Sequence, residues 1–154
     1  MTGKSRRKEV APELEDGDYA ALASFRRALR VFLAFSADAA REAGLTPQQH
    51  QAILAVRGFA PAGGMTINDL AEQLLLKPQT AVELVDRLEK ADLVQRRRDG
   101  EDRRKVLLML TARADAVLAP LSEAHLAQIG RDAQHLIALL EQMLDHPRSG
   151  ASRT

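Results

Sequence analysis

The fold is indicated by the stretch PQTAVELVDRLEKADLVQRRRDGEDRRKVLLMLT, residues 78–111, in which the spacing of apolar residues changes from that of a helix to that of a β-hairpin. As far as Lys90, apolar residues recur at the three- and four-residue spacing of a helix: Ala81, Leu84, Val85 and Leu88. Beyond Leu93, arginines lie on both sides of Asp99-Gly100, a dipeptide typical of hairpin turns, and the short apolar run 106–110 follows. The stretch therefore predicts a helix followed by a basic β-hairpin.

Two helix starts lie upstream of this stretch. Thr46 is followed three residues later by Gln49, and Thr66 by Asp69. A threonine with a polar acceptor three residues on is typical of the first turn of a helix. A glycine-rich loop separates these two helices, and a break of about three residues separates the second from the helix that Pro78 opens. Two short helices joined by so tight a turn predict a helix-turn-helix.

Long helical patterns flank this region, over residues 17–45 and 112–146. The first pattern exceeds the usual length of a globular helix, so we expect it to pack against a partner beyond its own chain. Within the second, Pro120 is expected to bend the helix and Gly130 to break it. We therefore predict a helical dimerisation region on either side of a central lobe, residues 46–111.

The composition is that of an ordinary globular protein, with 45% hydrophobic and 28% charged residues and a net charge of +1. Because the chain as a whole is nearly neutral, any affinity for phosphate has to come from local charge. Residues 94–105 supply it with six basic and three acidic side chains. The absence of cysteine excludes disulfides, thiol redox sensing and cysteine-ligated zinc, and four histidines without close ligand spacing predict no metal site.

Both ends of the chain are polar. Residues 1–16 predict a disordered arm and residues 147–154 a flexible tail. No apolar core follows the basic residues near the start, and no run approaches the 18 or so apolar residues that span a bilayer. We expect a cytoplasmic protein with no membrane partner and no cofactor; the basic arm is either a solubilising tail or a further DNA contact.

The central lobe resembles the DNA-binding lobe of the MarR family of bacterial transcription regulators. Four segments carry the resemblance: LTPQQHQAIL (45–54), MTINDLAEQL (65–74), TAVELVDRLEKADLV (80–94) and DRRKVLLMLT (102–111). The last matches the family's wing signature, an Asp-x-Arg followed by an apolar strand and Leu-Thr, here at Asp102, Arg104, Leu110 and Thr111. The chain departs from many relatives at Asp92, where they have glycine.

This resemblance implies a mainly α fold with a small β-hairpin wing, a winged helix-turn-helix flanked by N- and C-terminal dimerisation helices. It further implies a homodimer that binds palindromic double-stranded DNA and regulates transcription, most often as a repressor. In such families a small organic effector binds between the dimerisation helices and the DNA-binding lobe and typically relieves repression.

The helix that Pro78 opens is expected to enter the major groove with its N-terminal end first. Gln79 can make paired hydrogen bonds to an adenine edge, and Thr80 can contact a phosphate or a thymine methyl group. The hairpin arginines are expected on phosphates or in the minor groove. The predicted DNA-binding residues are Lys77, Pro78, Gln79, Thr80, Arg87, Arg96, Arg97, Arg98, Arg103 and Arg104. The resemblance also makes Arg104 the wing-tip arginine and Asp102 a brace of the wing, through a salt bridge to a nearby arginine.

Several side chains allow a structural interpretation beside the functional one. Arg87 is either a phosphate contact or a solvated helix charge. Glu83 either pairs with Arg87 one turn away or faces the groove. Phe32 and Phe35 line an effector crevice or belong to a core or interface, and His50 is an effector contact or a partly exposed structural residue.

The sequence offers no catalytic residues, because no serine, histidine and carboxylate stand in a recognisable constellation. We therefore predict that the protein is not an enzyme. One alternative to DNA binding stays open, a winged helix that serves as a protein-interaction module without specific DNA binding. Such a module has no need of arginines on both sides of one turn.

Overall fold

The computed structural model describes residues 14–60, 64–102 and 104–145. Most of the predicted arm, the predicted tail and Arg103 lie outside these residues. The described chain forms five helices and three short strands: α1 (Asp16–Glu42), α2 (Pro47–Phe59), β1 (Met65–Thr66), α3 (Ile67–Gln73), α4 (Pro78–Lys90), β2 (Val94–Arg98), β3 (Val106–Leu110) and α5 (Ala112–Leu144). The predicted fold class, mainly α with a small β wing, is confirmed.

Both predicted helix starts are capping boxes. The Thr46 hydroxyl accepts from the Gln49 backbone N–H at 3.1 Å, and the Gln49 side chain accepts from the Thr46 backbone N–H at 2.9 Å. Thr66 and Asp69 make the equivalent pair of bonds at the start of α3, at 3.2 and 2.8 Å. Hydrogen bonds from the side chain and backbone of Thr66 hold the pKa of Asp69 below its ordinary value. These bonds satisfy backbone N–H groups that the first turn of a helix leaves without partners.

A tight turn joins α3 to α4, as the sequence predicts for a helix-turn-helix. Leu75 takes a left-handed backbone conformation there, with φ at 54°, and its side chain is 93% exposed. The Leu75 and Leu76 amides donate back to the carbonyls of Glu72 and Ala71, which ends α3. Pro78 then opens α4 as its first residue.

The three strands form one antiparallel sheet in the order β1-β3-β2. Strand β1, which the sequence pattern does not predict, pairs Met65 with Leu108 and so attaches the start of α3 to the wing. The β2–β3 hairpin closes from Val94–Leu110 to Arg98–Val106. Its tip is the loop 99–105, longer than the tight turn that Asp99-Gly100 predicts.

The core of the lobe is built from the inward faces of these elements. Its largest fully buried side chains, at 0–2% exposure, are Ile53, Met65, Leu70, Leu84, Val85, Leu88, Leu93, Val94 and Leu108. The whole predicted apolar face of α4, from Ala81 to Leu88, is among the residues with no exposure. Because that face is buried against the core, the opposite face of α4 is directed outward.

Three hydrogen bonds connect the first turn of α5 to the residues that end α4. The Thr111 hydroxyl donates to the Asp92 carbonyl at 2.7 Å, and the Thr111 backbone N–H donates to the Leu93 carbonyl at 3.2 Å. The Arg113 guanidinium donates to the Ala91 carbonyl at 2.9 Å. We call this group of contacts the stem of the wing, because the hairpin between β2 and β3 begins and ends there.

Helix α5 continues through Gly130 to Leu144, and Pro120 also lies inside it. The predicted break at Gly130 is therefore wrong. One glycine costs a helix roughly 1 kcal/mol relative to alanine, which the hydrogen bonds and packing of the flanking turns outweigh.

The chain divides into two compact units. One is Phe32–Gly130, which contains the helix-turn-helix, the sheet and the core described above. The other comprises the residues up to Val31 and those from Arg131 onward. In the described part of that second unit, Ala21 and Leu139 are the buried apolar side chains.

Candidate nucleic-acid interface

The N-terminal end of α4 is exposed and open to a partner. Lys77, Pro78 and Gln79 are all exposed and Thr80 is half-buried. Lys77 is the N-cap residue and makes no capping bond with its side chain. The first turn of a helix presents unpaired N–H groups and partial positive charge, so this end of α4 favours phosphate.

Further along α4, polar contacts fix the outward side chains. The Gln79 amide donates to the Glu83 carboxylate at 3.5 Å, and the Arg87 guanidinium donates to Gln48 of α2 at 3.2 Å. The predicted partnership of Glu83 with Arg87 is thus replaced by two others. Arg87 bridges α4 and α2 at the surface, and Glu83 lies beside Gln79 at the end of the helix expected to contact DNA.

The wing arginines lie on different faces of the hairpin. Successive side chains of a strand point to opposite sides, so Arg96 and Arg98 share the face of Val94 and Arg97 lies on the other. Arg97 and Arg98 are exposed, whereas the Arg96 side chain is only 27% exposed. The three consecutive arginines are therefore not equivalent.

Arg96 is held by two carboxylates of α4. Its guanidinium donates from Nη2 to Asp86 at 2.7 Å and from Nη1 to Glu89, and its backbone N–H donates to the other Glu89 oxygen at 3.2 Å. Burial by itself lowers the pKa of Arg96, but the hydrogen bonds and the charges of Asp86 and Glu89 outweigh burial and raise it above its ordinary value. Arg96, predicted from the sequence to contact DNA, has its charge neutralised within the lobe.

The wing tip is ordered by backbone hydrogen bonds. The Asp102 carboxylate accepts from the Arg104 backbone N–H at 3.0 Å, and its carbonyl accepts from the Lys105 N–H at 2.9 Å. Asp99 pairs with Lys105 across the base of the loop at 3.0 Å. Asp102 thus contacts the backbone of Arg104 at the tip, and its role as a brace through a salt bridge to a nearby arginine stays a prediction. The Arg104 side chain is exposed, and Arg103 lies outside the described residues.

The three residues predicted as effector contacts surround a residue that the sequence did not single out, His125. Its ring centroid lies 5.9 Å from Phe32, 5.5 Å from Phe35 and 4.9 Å from His50. Its Nδ1 lies 2.5 Å from the Leu121 carbonyl, so Nδ1 is the donor, and Nε2 accepts from the Ser36 hydroxyl at 2.8 Å. We call Phe32, Phe35, His50 and His125 the histidine cluster.

His50 is buried at 3% exposure, which corrects the expectation of a partly exposed residue. Its Nδ1 is buried and has no hydrogen-bond partner among the described residues. Burial and the neighbouring His125 together lower the pKa of His50, so its neutral form is favoured. A sequence signal for His125 did exist, since it follows the buried Leu118 and Leu121 at helical spacing on the same face of α5.

Two other kinds of feature are absent from the described residues. These residues contain no group of three or more histidine, aspartate or glutamate side chains that could hold a metal ion. None of their helices is long and apolar enough to cross a membrane.

Comparison with known proteins places this lobe in context. Residues 43–105 match the family model described as MarR family. Over 72 residues, 47% of this chain, the sequence is 31% identical to the HTH-type transcriptional repressor MdtR of Bacillus subtilis (strain 168). That alignment covers 44% of the relative, so less than half of its length is matched.

Two solved structures share the fold over most of the chain. One is CouR from Rhodococcus jostii RHA1 bound to p-coumaroyl-CoA, with a TM-score of 0.64 at 24% identity, covering 84% of this chain and 92% of that one. The other is a MepR mutant from S. aureus bound to an oligodeoxyribonucleotide, with a TM-score of 0.55 at 22% identity, covering 82% and 95%.

Proposed function

We propose that the protein, whose residues 43–105 match the MarR family model, is a homodimeric, sequence-specific DNA-binding regulator of transcription. We further propose that it is a repressor released by a small organic ligand. One observation carries the proposal: the exposed N-terminal end of α4 and the exposed wing arginines Arg97, Arg98 and Arg104 belong to one packed lobe. A partner that is chromosomal DNA implies a cytoplasmic location.

Readout of the DNA sequence is assigned to α4. In the proposed complex, Gln79 and Thr80 contact base edges in the major groove, while Lys77, Pro78 and the helix N-terminus lie against phosphate. Arg87 contacts the flanking backbone. The MepR mutant of the same fold is bound to an oligodeoxyribonucleotide, which supports DNA as the partner of this fold.

The wing is assigned to the neighbouring backbone and minor groove. Arg97, Arg98, Arg103 and Arg104 are its proposed contacts, with Asp102 as the brace of the tip. Arg96 is left out of this set, because Asp86 and Glu89 already take up its charge.

Exposed apolar side chains on the two long helices support the dimer. Between 42% and 69% of their surface is exposed, a large amount for leucine and isoleucine, and they include Leu22, Leu29, Leu33, Leu126, Ile129, Ile137, Leu140 and Leu144. We propose that a second copy of the chain covers these faces. Two α4 helices related by a two-fold axis would then lie about 34 Å apart, so the operator is an inverted repeat with half-sites one turn of DNA apart.

The histidine cluster is the proposed contact region for the effector. His50 offers a buried, unpaired nitrogen, and Phe32 and Phe35 offer aromatic surface beside it. An unpaired buried polar atom costs free energy that a ligand with a matching hydrogen-bonding group would recover. CouR, which has the same fold, is bound to p-coumaroyl-CoA.

The test is a salt series of binding to the DNA upstream of the protein's own gene, beside a scrambled fragment. We expect tight binding to the first fragment, with log affinity falling linearly in log salt by about 0.9 per phosphate contacted. Arg104→Ala should weaken operator binding by about 1–3 kcal/mol. Arg27→Ala, which removes the same charge from an exposed position on α1, is the matched control and should leave binding unchanged.

The alternative function has its own outcome in this experiment. If neither fragment is bound at low salt, the winged lobe is a protein-interaction module without specific DNA binding. If the operator is bound but Arg104→Ala has the affinity of the wild type, the wing does not take part.

A further inference from the structure

Arg96 connects β2 of the wing to α4, the proposed reading helix. Glu89 accepts both from the backbone N–H of Arg96 and from its guanidinium, and Asp86, one turn earlier on α4, accepts from the other end of the same guanidinium. The three bonds therefore fix the position of the strand and the direction of the side chain. We call Asp86, Glu89 and Arg96 the arginine bracket.

The arginine bracket lies partly out of water. The side chains of Arg96, Glu89 and Asp86 are 27%, 34% and 50% exposed. A guanidinium that donates from two nitrogens to two carboxylates is held more rigidly than one solvated side chain, because its planar fork matches carboxylate geometry. To reach a phosphate, Arg96 would have to leave both partners, with two acidic side chains remaining on α4.

We propose that Arg96 is a positioning residue, which sets the orientation of the wing relative to α4 and does not itself contact DNA. This inference rests on the proposed function. The proposed lobe contacts DNA through α4 and through the wing. The second contact increases the affinity only if the geometry of the lobe allows both contacts at the same time. With the bracket intact, the exposed wing arginines Arg97, Arg98 and Arg104 are held at a fixed position relative to α4 and its Gln79.

The contact between α4 and β2 does not depend on the bracket alone. Leu88, Leu93 and Val94, which join α4 to β2, are all buried at 0–2% exposure, and none of them belongs to the bracket. Variants of the bracket are therefore expected to fold. Circular dichroism and urea unfolding check this for each variant, so that DNA binding is compared only between folded proteins.

The decisive variant combines Asp86→Asn with Glu89→Gln. It releases Arg96 and removes two negative charges from α4, so a role as a DNA contact predicts tighter binding and a steeper salt dependence. A positioning role predicts the opposite: at least tenfold weaker operator binding, with affinity for the scrambled fragment unchanged or increased. Glu72→Gln with Glu123→Gln, at two positions away from the bracket, is the control for the same change in charge.

Arg96→Met gives the second measurement. We expect the same reduction of operator affinity with an unchanged salt slope, and little further reduction when it is added to the Asp86→Asn, Glu89→Gln pair, because the three residues act as one unit. Arg98→Met on the same face of the strand is the comparison. Because Arg98 is a proposed phosphate ligand, its removal should lower the slope by about 0.9 for each phosphate that the variant no longer binds.

The outcomes separate the inference from the function on which it rests. Tighter operator binding after release of Arg96, a lower salt slope for Arg96→Met, or wild-type binding in both variants would each overturn the positioning role alone. A wild-type protein that does not discriminate the operator from the scrambled fragment would overturn the proposed function, and this inference with it.

Discussion

Among the described residues of the lobe, two that are not glycine, Leu75 and Asp92, adopt left-handed backbone conformations, with φ at 54° and 55°. Each closely follows a helix, and the amides at and after it donate back to carbonyls of the last turn. This is the helix-ending arrangement that glycine most often provides, since a side chain at positive φ is strained. The two helices of the helix-turn-helix thus both end at strained residues.

We expect Asp92→Gly to stabilise the protein by about 0.5–1 kcal/mol. The left-handed conformation costs an L-residue roughly 1–2 kcal/mol, part of which is returned as the greater entropy of glycine in the unfolded chain. The carbonyl that accepts from Thr111 belongs to the backbone and is retained. Urea unfolding measures the change in the free energy of unfolding. Asp92→Ala keeps the strained backbone and loses a side chain that tolerates it, so this variant should be less stable than the wild type. A glycine variant less stable than the wild type would contradict this account.

At this scale, the sequence predicts which residues are charged and on which element they lie, but not which charges remain exposed. Arg96 and Arg104 look alike in sequence. They differ because Asp86 and Glu89 hold Arg96, and these carboxylates reach Arg96 only after α4 and β2 have packed together. His125 was missed for a similar reason: it lies 89 residues from Ser36, with which it shares a hydrogen bond.

The elements themselves were predictable wherever the signal is local. Thr46 and Thr66 begin helices because their hydroxyls accept from amides three residues on, a relation that can be read directly from the sequence. Strand β1 has only two residues, too few for any alternation, and exists because Met65 pairs with Leu108. Helix α5 passes through Gly130, where a local rule predicts a break that cooperative helix formation overrides.

Gly130→Ala is expected to stabilise α5 by about 1 kcal/mol, the difference in helix propensity between the two residues. A methyl group added at Gly130 meets no atom within 4 Å. Ala127→Gly, the reverse change at an exposed position one turn earlier, should cost a similar amount. Both are measured as shifts in the free energy of unfolding. A loss of stability in Gly130→Ala would mean that the dimer covers this position closely.

At the scale of the whole molecule, the proposed dimer interface can be tested on the exposed apolar face of α5. Leu140→Glu, at a residue 44% exposed on α5, should weaken the dimer at least tenfold, because a carboxylate would be desolvated at the interface. Gln142→Glu adds the same charge two residues along and should retain the mass of two chains in light scattering. A dimer in both variants would place the interface elsewhere.

Global stability should also depend on pH through His50. Its folded pKa lies below the ordinary value of 6.5, so between these two values the unfolded chain binds more protons than the folded one. Stability from this residue is therefore fully present above about pH 6.5 and is lost as the pH falls towards the folded pKa, by at most about 1.4 kcal/mol per pH unit.

Urea unfolding from pH 8 to pH 5 measures this dependence. His50→Phe, which keeps a ring that does not titrate, should show a flatter dependence in this window. His135→Ala changes an exposed histidine of α5 and should leave the dependence as in the wild type. A dependence equally steep in His50→Phe would assign the protonation to another group.

The stem of the wing has a consequence for how such a protein can diversify. Residues 91–93 and 111–113 are hydrogen-bonded to each other, so the hairpin of β2 and β3 between them has ends that are already held together. Lengthening a closed loop is inexpensive, about 0.6 kcal/mol for each doubling of its length. Insertions and deletions at the tip, residues 99–105, are therefore expected to leave α4 and α5 undisturbed. We therefore expect the length of the wing to vary among relatives of this protein while α4 keeps its position. In the proposed DNA complex, a longer wing would extend the contact with the backbone.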